Sequence, residues 1–365
     1  MANEERHGSS NTSFPMRSGE DKYSYSRNSH YQKNGADMVK TMMLKEITEK
    51  LDLEQCFSSP RLFNVADLGC SIGPNTFFVV QNIIDAVELK HQALGLSKSD
   101  LEFQVFFSDQ SSNDFNTLFR SLPPERRYFA SGVPGTFYGR LFPKASLHFA
   151  HCSYAVHWLS KIPKQVLDRN SPAWNRGRIH YRTKEVKEAF AAQFAEDMKS
   201  FLEARAEEVV SGGLMALILC GQPSGTDPSK CAIRMLFELL GFSFMDMAKM
   251  GLTDEAKVDS FNLPLYFPAK EELEGIIQNN GCFDIEKAEV FHQSRLEAKN
   301  HDVQKFILMI RSAFEMLICE NFGTQILEQL FQRFTERVTE SGILWYSSYS
   351  PFIDLFVFLK RKVKK

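Results

Sequence analysis

The sequence predicts a doubly wound α/β fold, a mostly parallel sheet flanked by helices, with an α-helical cap laid over it. Three observations predict it. Short apolar runs alternate with longer amphipathic stretches. Two of the apolar runs end on an aspartate, Asp67 and Asp109. The stretch from about 222 to 340 carries helical patterns and is too long for a crossover between neighbouring strands.

The elements follow in order. Residues 1–15 are Ser-, Asn- and charge-rich without apolar periodicity, so disorder is expected there. Met38, Met42, Leu44 and Ile47 stand at helical spacing and predict a helix over 35–52. "LFNVADL" (62–68) reads as a buried strand, and 76–93 as a helix with a broad apolar stripe. Further strands are expected over 101–109, 147–156 and 212–221, with a long amphipathic helix before the last. Two clear cap helices begin near Met235 and Lys305. Strands over 284–291 and 351–362 complete the sheet. The expected division is a core of 16–221 with 282–365, and a cap of 222–281 with part of 295–345.

Composition narrows the function. With 365 residues, 43% of them hydrophobic, the chain can bury a large core. A net charge of −2 gives no footprint for nucleic acid, and the basic end "KRKVKK" reads as a solvated terminus. The seven cysteines, at 56, 70, 152, 220, 231, 282 and 319, are odd in number and form no C-x-x-C. That argues against a disulfide framework or zinc site and for a reducing compartment. No apolar run approaches the ~20 residues of a membrane span, and the polar N-terminus resembles no signal peptide. A soluble cytosolic protein is expected. Some of the 32 phenylalanines could line an apolar ligand pocket.

"NVADLGCSIGPN" (64–75) is the most informative stretch. In open α/β sheets ligands bind off the carboxyl ends of the strands. The loop after Asp67 has neither a phosphate loop's G-x-x-x-x-G-K-[ST] nor G-x-G-x-x-G; its glycines, Gly69 and Gly73, are four apart. A strand-end acid, a glycine turn and a second strand-end acid at Asp109 suit S-adenosylmethionine. That ligand has no phosphate, needs room for its amino-acid tail, and offers ribose hydroxyls to a carboxylate. A plain tight turn with a capping acid is the other reading.

Six motifs in register carry a family resemblance. They are "MRSGEDKYSYSRNSHYQ" (16–32), "DLGCSIGPN" (67–75), "SDQSSNDFNTLF" (108–119), "GVPGTFYGRLFP" (132–143), "HCSYAVHWLS" (151–160) and "DSFNLPLYFP" (259–268). Together they resemble the plant SABATH methyltransferases. Those enzymes methylate carboxylates of salicylate, benzoate, jasmonate, farnesoate or loganate type, or ring nitrogens of xanthines, from S-adenosylmethionine. The resemblance implies a class I, Rossmann-like methyltransferase fold. It implies that Tyr25 and Ser29 close over the cofactor, and that Asp67, Cys70 and Asn75 hold its methionine part. Asp109 would take the ribose, with Gln110 beside it where the family has Leu. Thr136, where Ser is common, and Phe137 would flank the adenine.

On the acceptor side the resemblance implies Gln32, Tyr154 and Trp158. A Gln amide and an indole N–H are donors that suit a carboxylate. His157 is expected to touch the acceptor, and core packing is its other reading. Leu236, Phe237, Ile310 and Phe352 are candidate pocket walls or plain core. Arg17 could pair with an acidic substrate or be a solvated charge. The family pattern for Mg²⁺ falls on Asn175, Asp259, Asn262 and the Phe261 carbonyl; such hard oxygens suit that ion. A homodimer is also implied.

The expected chemistry is carboxylate O-methylation, with xanthine-type N-methylation as the alternative. A carboxylic acid of pKa about 4 is already ionised at neutral pH and needs no general base. The remaining task is to align one oxygen with the methyl group at about 3–3.5 Å and to keep water out. As a hydrogen-bonding residue, His157 favours a hydroxylated acid such as an iridoid glucoside.

Overall fold

The computed structural model describes residues 15–53, 62–95, 101–181, 183–292 and 303–363. Cys56 and all but Pro15 of the tract expected to be disordered lie outside the described residues.

Seven strands form one sheet: β1 (Leu62–Leu68), β2 (Glu102–Asp109), β3 (Phe129–Pro134), β4 (Leu147–Ser153), β5 (Val209–Gly221), β6 (Phe283–His292) and β7 (Ile353–Arg361). Their order is β3-β2-β1-β4-β5-β7-β6. The first five run parallel, and β7 lies antiparallel between β5 and β6. The sheet is therefore mostly parallel, as the pattern predicts. Strand β3 was not foreseen. It is a six-residue edge strand, largely unburied and interrupted by Gly132, so it lacks the apolar run of its neighbours.

Strand order reverses beside β1: β2 and β3 extend to one side, β4 and β5 to the other. This switch point is where open α/β sheets bind ligands. In the ladder there, Asp67 of β1 pairs with His151 of β4, and Leu68 with Cys152. The loops leaving both strands begin side by side.

Helices α1 (His30–Lys50) and α2 (Pro74–Ala93) cover one face of the sheet. Helix α1 begins five residues before the predicted start, because its first turn, "HYQKN", is too polar to show the apolar period. Helix α2 starts on Pro74, whose fixed φ and missing N–H suit a first helical position. Helix α3 (Lys184–Glu208) covers the other face with Phe190, Phe194 and Phe201. Side-chain alternation along β7 divides the two cores. Phe356 and Phe358 face α1 and α2; Leu355, Val357 and Leu359 face α3.

Helices α4 (Ala232–Lys249), α6 (Val303–Phe322) and α7 (Leu327–Ser341) pack on one another through Phe244, Phe322 and Phe334. Between α4 and α6 in sequence, α5 (Lys270–Asn280) packs on β6 and α3 at the flank of the sheet. No helix of the described residues is long and apolar enough to cross a membrane.

Candidate active site

Gly69 turns the chain at the end of β1 with φ +80°. A Cβ there would lie 2.4 Å from the Ala155 Cβ, so the turn and the segment after β4 approach as only glycine allows. Ser71 in that turn has φ +53° and Tyr154 after β4 has φ +55°. Strained backbone of this kind clusters at functional sites, and here both residues line one cleft of about 440 Å³.

Tyr25, Asp67, Cys70 and Asn75 line this cleft, as does Gln32. The Asp67 carboxylate is buried and held internally: His151 Nδ1 lies 2.7 Å from Oδ1, and the Thr76 hydroxyl donates to Oδ2. Burial pushes the Cys70 thiol well up, keeping it neutral. Asn75 donates to the carbonyl and the hydroxyl of Ser29, both at 3.0 Å, which ties the N-terminal segment to the glycine turn.

Asp109 accepts from the backbone N–H groups of Ser71 and Gln110, each at 2.8 Å. Burial pushes its pKa up to about 6 against those two bonds. The Gly135 N–H donates to the Asp109 carbonyl at 2.8 Å, so the Thr136–Phe137 loop starts at the same sheet end. The Phe137 ring lies 3.7 Å from where a Gly69 Cβ would stand. Asp109, Gln110, Thr136 and Phe137 thus gather beside the glycine turn, outside the lining of the 440 Å³ cleft.

The sequence did not reveal what holds that loop. Arg205 and Glu208, both fully buried at the end of α3, pair at 2.7 Å. The guanidinium donates to the carbonyls of Phe137 (2.8 Å) and Gly139 (2.9 Å), and Glu208 accepts from the N–H of Phe142 at 3.0 Å.

A second cavity of about 680 Å³ adjoins the cleft. Tyr25, Gln32 and Tyr154 line both spaces. His157 and Trp158 line the cavity too. So do Leu236 and Phe237 from α4, Ile310 from α6, and Phe352 just before β7. Four buried polar atoms on these walls lack partners: Ser71 Oγ, Gln32 Oε1, His151 Nε2 and His157 Nδ1. Burial lowers the His157 pKa to about 3, so its ring is neutral. Ser71, Tyr31, Cys220 and Phe267 were not singled out in the sequence. Nor was Asp354 of β7, which is buried and accepts the hydroxyls of Tyr154 (2.6 Å) and Tyr31 (3.2 Å).

Arg17 lies outside the lining of both spaces and is only partly exposed. It pairs with Glu315 of α6 and, at 2.7 Å, with Asp21.

Among the Mg²⁺ candidates the donor types suit the ion, but the Asn175 amide turns its nitrogen, not its oxygen, toward Asn262 Oδ1, at 2.6 Å. Asp259 lies 3.7 Å from Arg169, and Phe261 is buried. No group of three or more His, Cys, Asp or Glu residues able to hold a metal occurs among the described residues.

The cleft, its strained turn and its orphaned polar atoms fit a cofactor without phosphate. Comparison with known proteins agrees. The chain is 46% identical to loganic acid O-methyltransferase of Catharanthus roseus, over 95% of this chain and 94% of that protein. It is 46% identical to farnesoic acid carboxyl-O-methyltransferase of Arabidopsis thaliana, over 96% and 99%. A solved loganic acid methyltransferase with SAH superposes with a TM-score of 0.91 at 46% identity, covering 96% of this chain and 99% of that one. Residues 11–362 match the family described as SAM dependent carboxyl methyltransferase. The chain belongs to that family, the S-adenosylmethionine-dependent carboxyl methyltransferases.

Proposed function

We propose that the protein methylates the carboxylate of a small plant metabolite acid, using S-adenosylmethionine. The observation that carries this reading is the meeting of the two spaces at Tyr25, Gln32 and Tyr154. When bound, the cofactor supplies an electrophilic methyl group on sulfur. The relatives named for loganic and farnesoic acid both act on carboxylic acids.

The acceptor arrives ionised, so the residues need only orient and desolvate it. Gln32 and the Trp158 indole donate to the carboxylate, and Tyr154 bounds it at the junction. The backing of Trp158 by Phe314, 5.3 Å between ring centroids, supports a fixed indole. Leu236, Phe237, Ile310 and Phe352 exclude water, and His157 touches the body of the acid. On the cofactor side, Tyr25 and Ser29 close the site, and Asp67, Cys70 and Asn75 hold the amino-acid tail. Asp109 with Gln110 takes the ribose, and Thr136 with Phe137 flanks the adenine. Asp67 acts partly through Thr76 and His151, which fix its carboxylate.

In this reading 16–221 with 282–365 form the cofactor core. Residues 222–281 with part of 295–345 form the cap, and α5 is its foot on the sheet. A Mg²⁺ at Asn175, Asp259, Asn262 and the Phe261 carbonyl would be structural, and would need the Asn175 amide to turn its oxygen inward. We also place the protein in the cytoplasm, on its cysteine usage, and as a homodimer, on resemblance to the family.

The test is incubation with isotopically labelled cofactor and a mixed acid library, followed by mass spectrometry. Labelled methyl esters are expected. Labelled N-methylpurines without esters, from a parallel xanthine panel, would overturn the reading.

A further inference from the structure

We propose that the acceptor is an acid with an apolar body, terpenoid or aryl-alkyl, bearing at most one hydroxyl, and that Phe237 is the partition that excludes glycosylated acids. This rests on the carboxyl-methylation reading above.

The polar groups of the 680 Å³ cavity are few and mostly engaged. Gln32 and Trp158 belong to the carboxylate. The hydroxyls of Tyr31 and Tyr154 already donate to Asp354. Beyond Tyr25, Cys220 and His157, every other side chain on the wall is apolar, including Leu236, Phe267, Ile310, Phe314 and Phe352. His157 carries one buried nitrogen, Nδ1, without a partner. A neutral imidazole nitrogen serves one hydrogen bond, given or taken. A glycosyl group brings several hydroxyls, and each one buried without a partner is penalised. The single imidazole of His157 therefore suits a keto or hydroxyl group, and does not make a sugar site.

A polar space does exist, on the other side of a wall. A cavity of about 1000 Å³ is lined by Arg178, His180, Asp227, Ser229, Arg234 and Glu238. Both ring nitrogens of His180 are buried without a hydrogen-bond partner. Phe237 lines this cavity and the acceptor cavity alike. Its ring stacks on Phe267, 5.9 Å away and tilted by only 7°, and meets Phe314 edge-on at 5.7 Å. The aromatic wall so built keeps the polar cavity apart from the acceptor. Removing the ring joins the two spaces and gives hydroxyls access to His180 and the arginines.

The experiment compares farnesoic acid with loganic acid, a glucoside, as competing acceptors for the wild-type protein and for Phe237→Ala. Titration of each acid into the protein saturated with S-adenosylhomocysteine gives binding independently of turnover. Wild type should prefer farnesoic acid by at least about 100-fold in kcat/KM, the order of magnitude for unmatched polar groups in an apolar pocket. Phe237→Ala should narrow that ratio about tenfold or more, through gain on the glucoside as well as loss on the apolar acid. Equal or better use of loganic acid by wild type overturns the inference, as does a ratio that Phe237→Ala leaves unmoved. Failure to esterify these two acids or any member of the mixed acid library, with S-adenosylhomocysteine still bound, instead removes the carboxyl reading and this inference with it.

Discussion

Gly35 in the second turn of α1 and Tyr154 just after β4 leave no space between them: a Cβ on Gly35 would lie 1.6 Å from the tyrosine hydroxyl oxygen. An interior helical glycine costs about 0.5–1 kcal/mol relative to alanine. It is retained because Tyr154, held at φ +55°, reaches past it to donate to Asp354 at 2.6 Å. Helix α1 therefore sets the position of a tyrosine that lines both the cofactor cleft and the acceptor cavity.

Gly35→Ala should push Tyr154 out of that position. A displacement of about 1 Å at a reacting centre costs on the order of 100-fold in rate. Steady-state kinetics should show the loss mainly in kcat, while thermal unfolding stays cooperative. Unchanged kcat would mean that the placement of Tyr154 does not matter to methyl transfer.

Asp354 is a positioning residue in this scheme, acting through Tyr154. Asp354→Asn keeps an acceptor for the Tyr154 hydroxyl and should retain most of kcat. Asp354→Ala should lose about tenfold or more, because a buried hydroxyl without its partner costs about 1–3 kcal/mol. In the Tyr154→Phe background the alanine change should add little, since contacting residues are not additive. Full additivity in that double-mutant cycle would assign Asp354 a purely structural role.

These partnerships show why the sequence disclosed some of the site and hid the rest. Asp67 and Asp109 stood out because each ends an apolar run at a strand tip, where a ligand is expected. Asp354 sits inside the apolar run "PFIDLFVF" and is explained only by hydroxyls about 200 and 320 positions away. The Arg205–Glu208 pair looked like any charged helix end, yet it is fully buried against the 137–142 loop. The reversal of β7 was equally silent, because a buried strand reads the same in either direction.

Asp109 gives the site a pH limit. Burial raises its pKa from an ordinary 3.8 to about 6. A raised folded-state pKa favours the protonated folded form. That stabilising contribution is complete below about pH 4 and is lost as pH rises through about 6. Ribose hydroxyls need the ionised form, so affinity for S-adenosylhomocysteine should be flat above pH 7 and fall about tenfold per unit below 6. His157, lowered to about 3, does not titrate in that window. Asp109→Asn should bind more weakly, by about 1.5–3 kcal/mol, with no break near 6. Calorimetric titration across pH checks both; the same break in the variant would assign it to another group.

The N-terminal segment that carries Tyr25 and Ser29 is fastened to α6 by charge. Arg17 pairs with Glu315, and its N–H donates to the Ser312 carbonyl at 3.0 Å. Arg311 pairs with the same Glu315 at 2.5 Å and with Glu328 at 2.6 Å, and its guanidinium lies 3.5 Å from the centroid of the Tyr23 ring. Glu315 is the shared anion and its side chain is only 2% exposed. Glu315→Gln leaves two arginines without it, and removing one partner of a buried pair costs about 3–5 kcal/mol. The strain falls first on the segment, because that is what the pair fastens. KM for the cofactor and for the acid should therefore rise together, and limited proteolysis should cut between 17 and 29 faster than in wild type. Salt should reproduce the effect weakly in wild type, since a buried pair is screened far less than a surface one. Proteolysis and KM values identical to wild type would show that the segment is held by its apolar contacts alone.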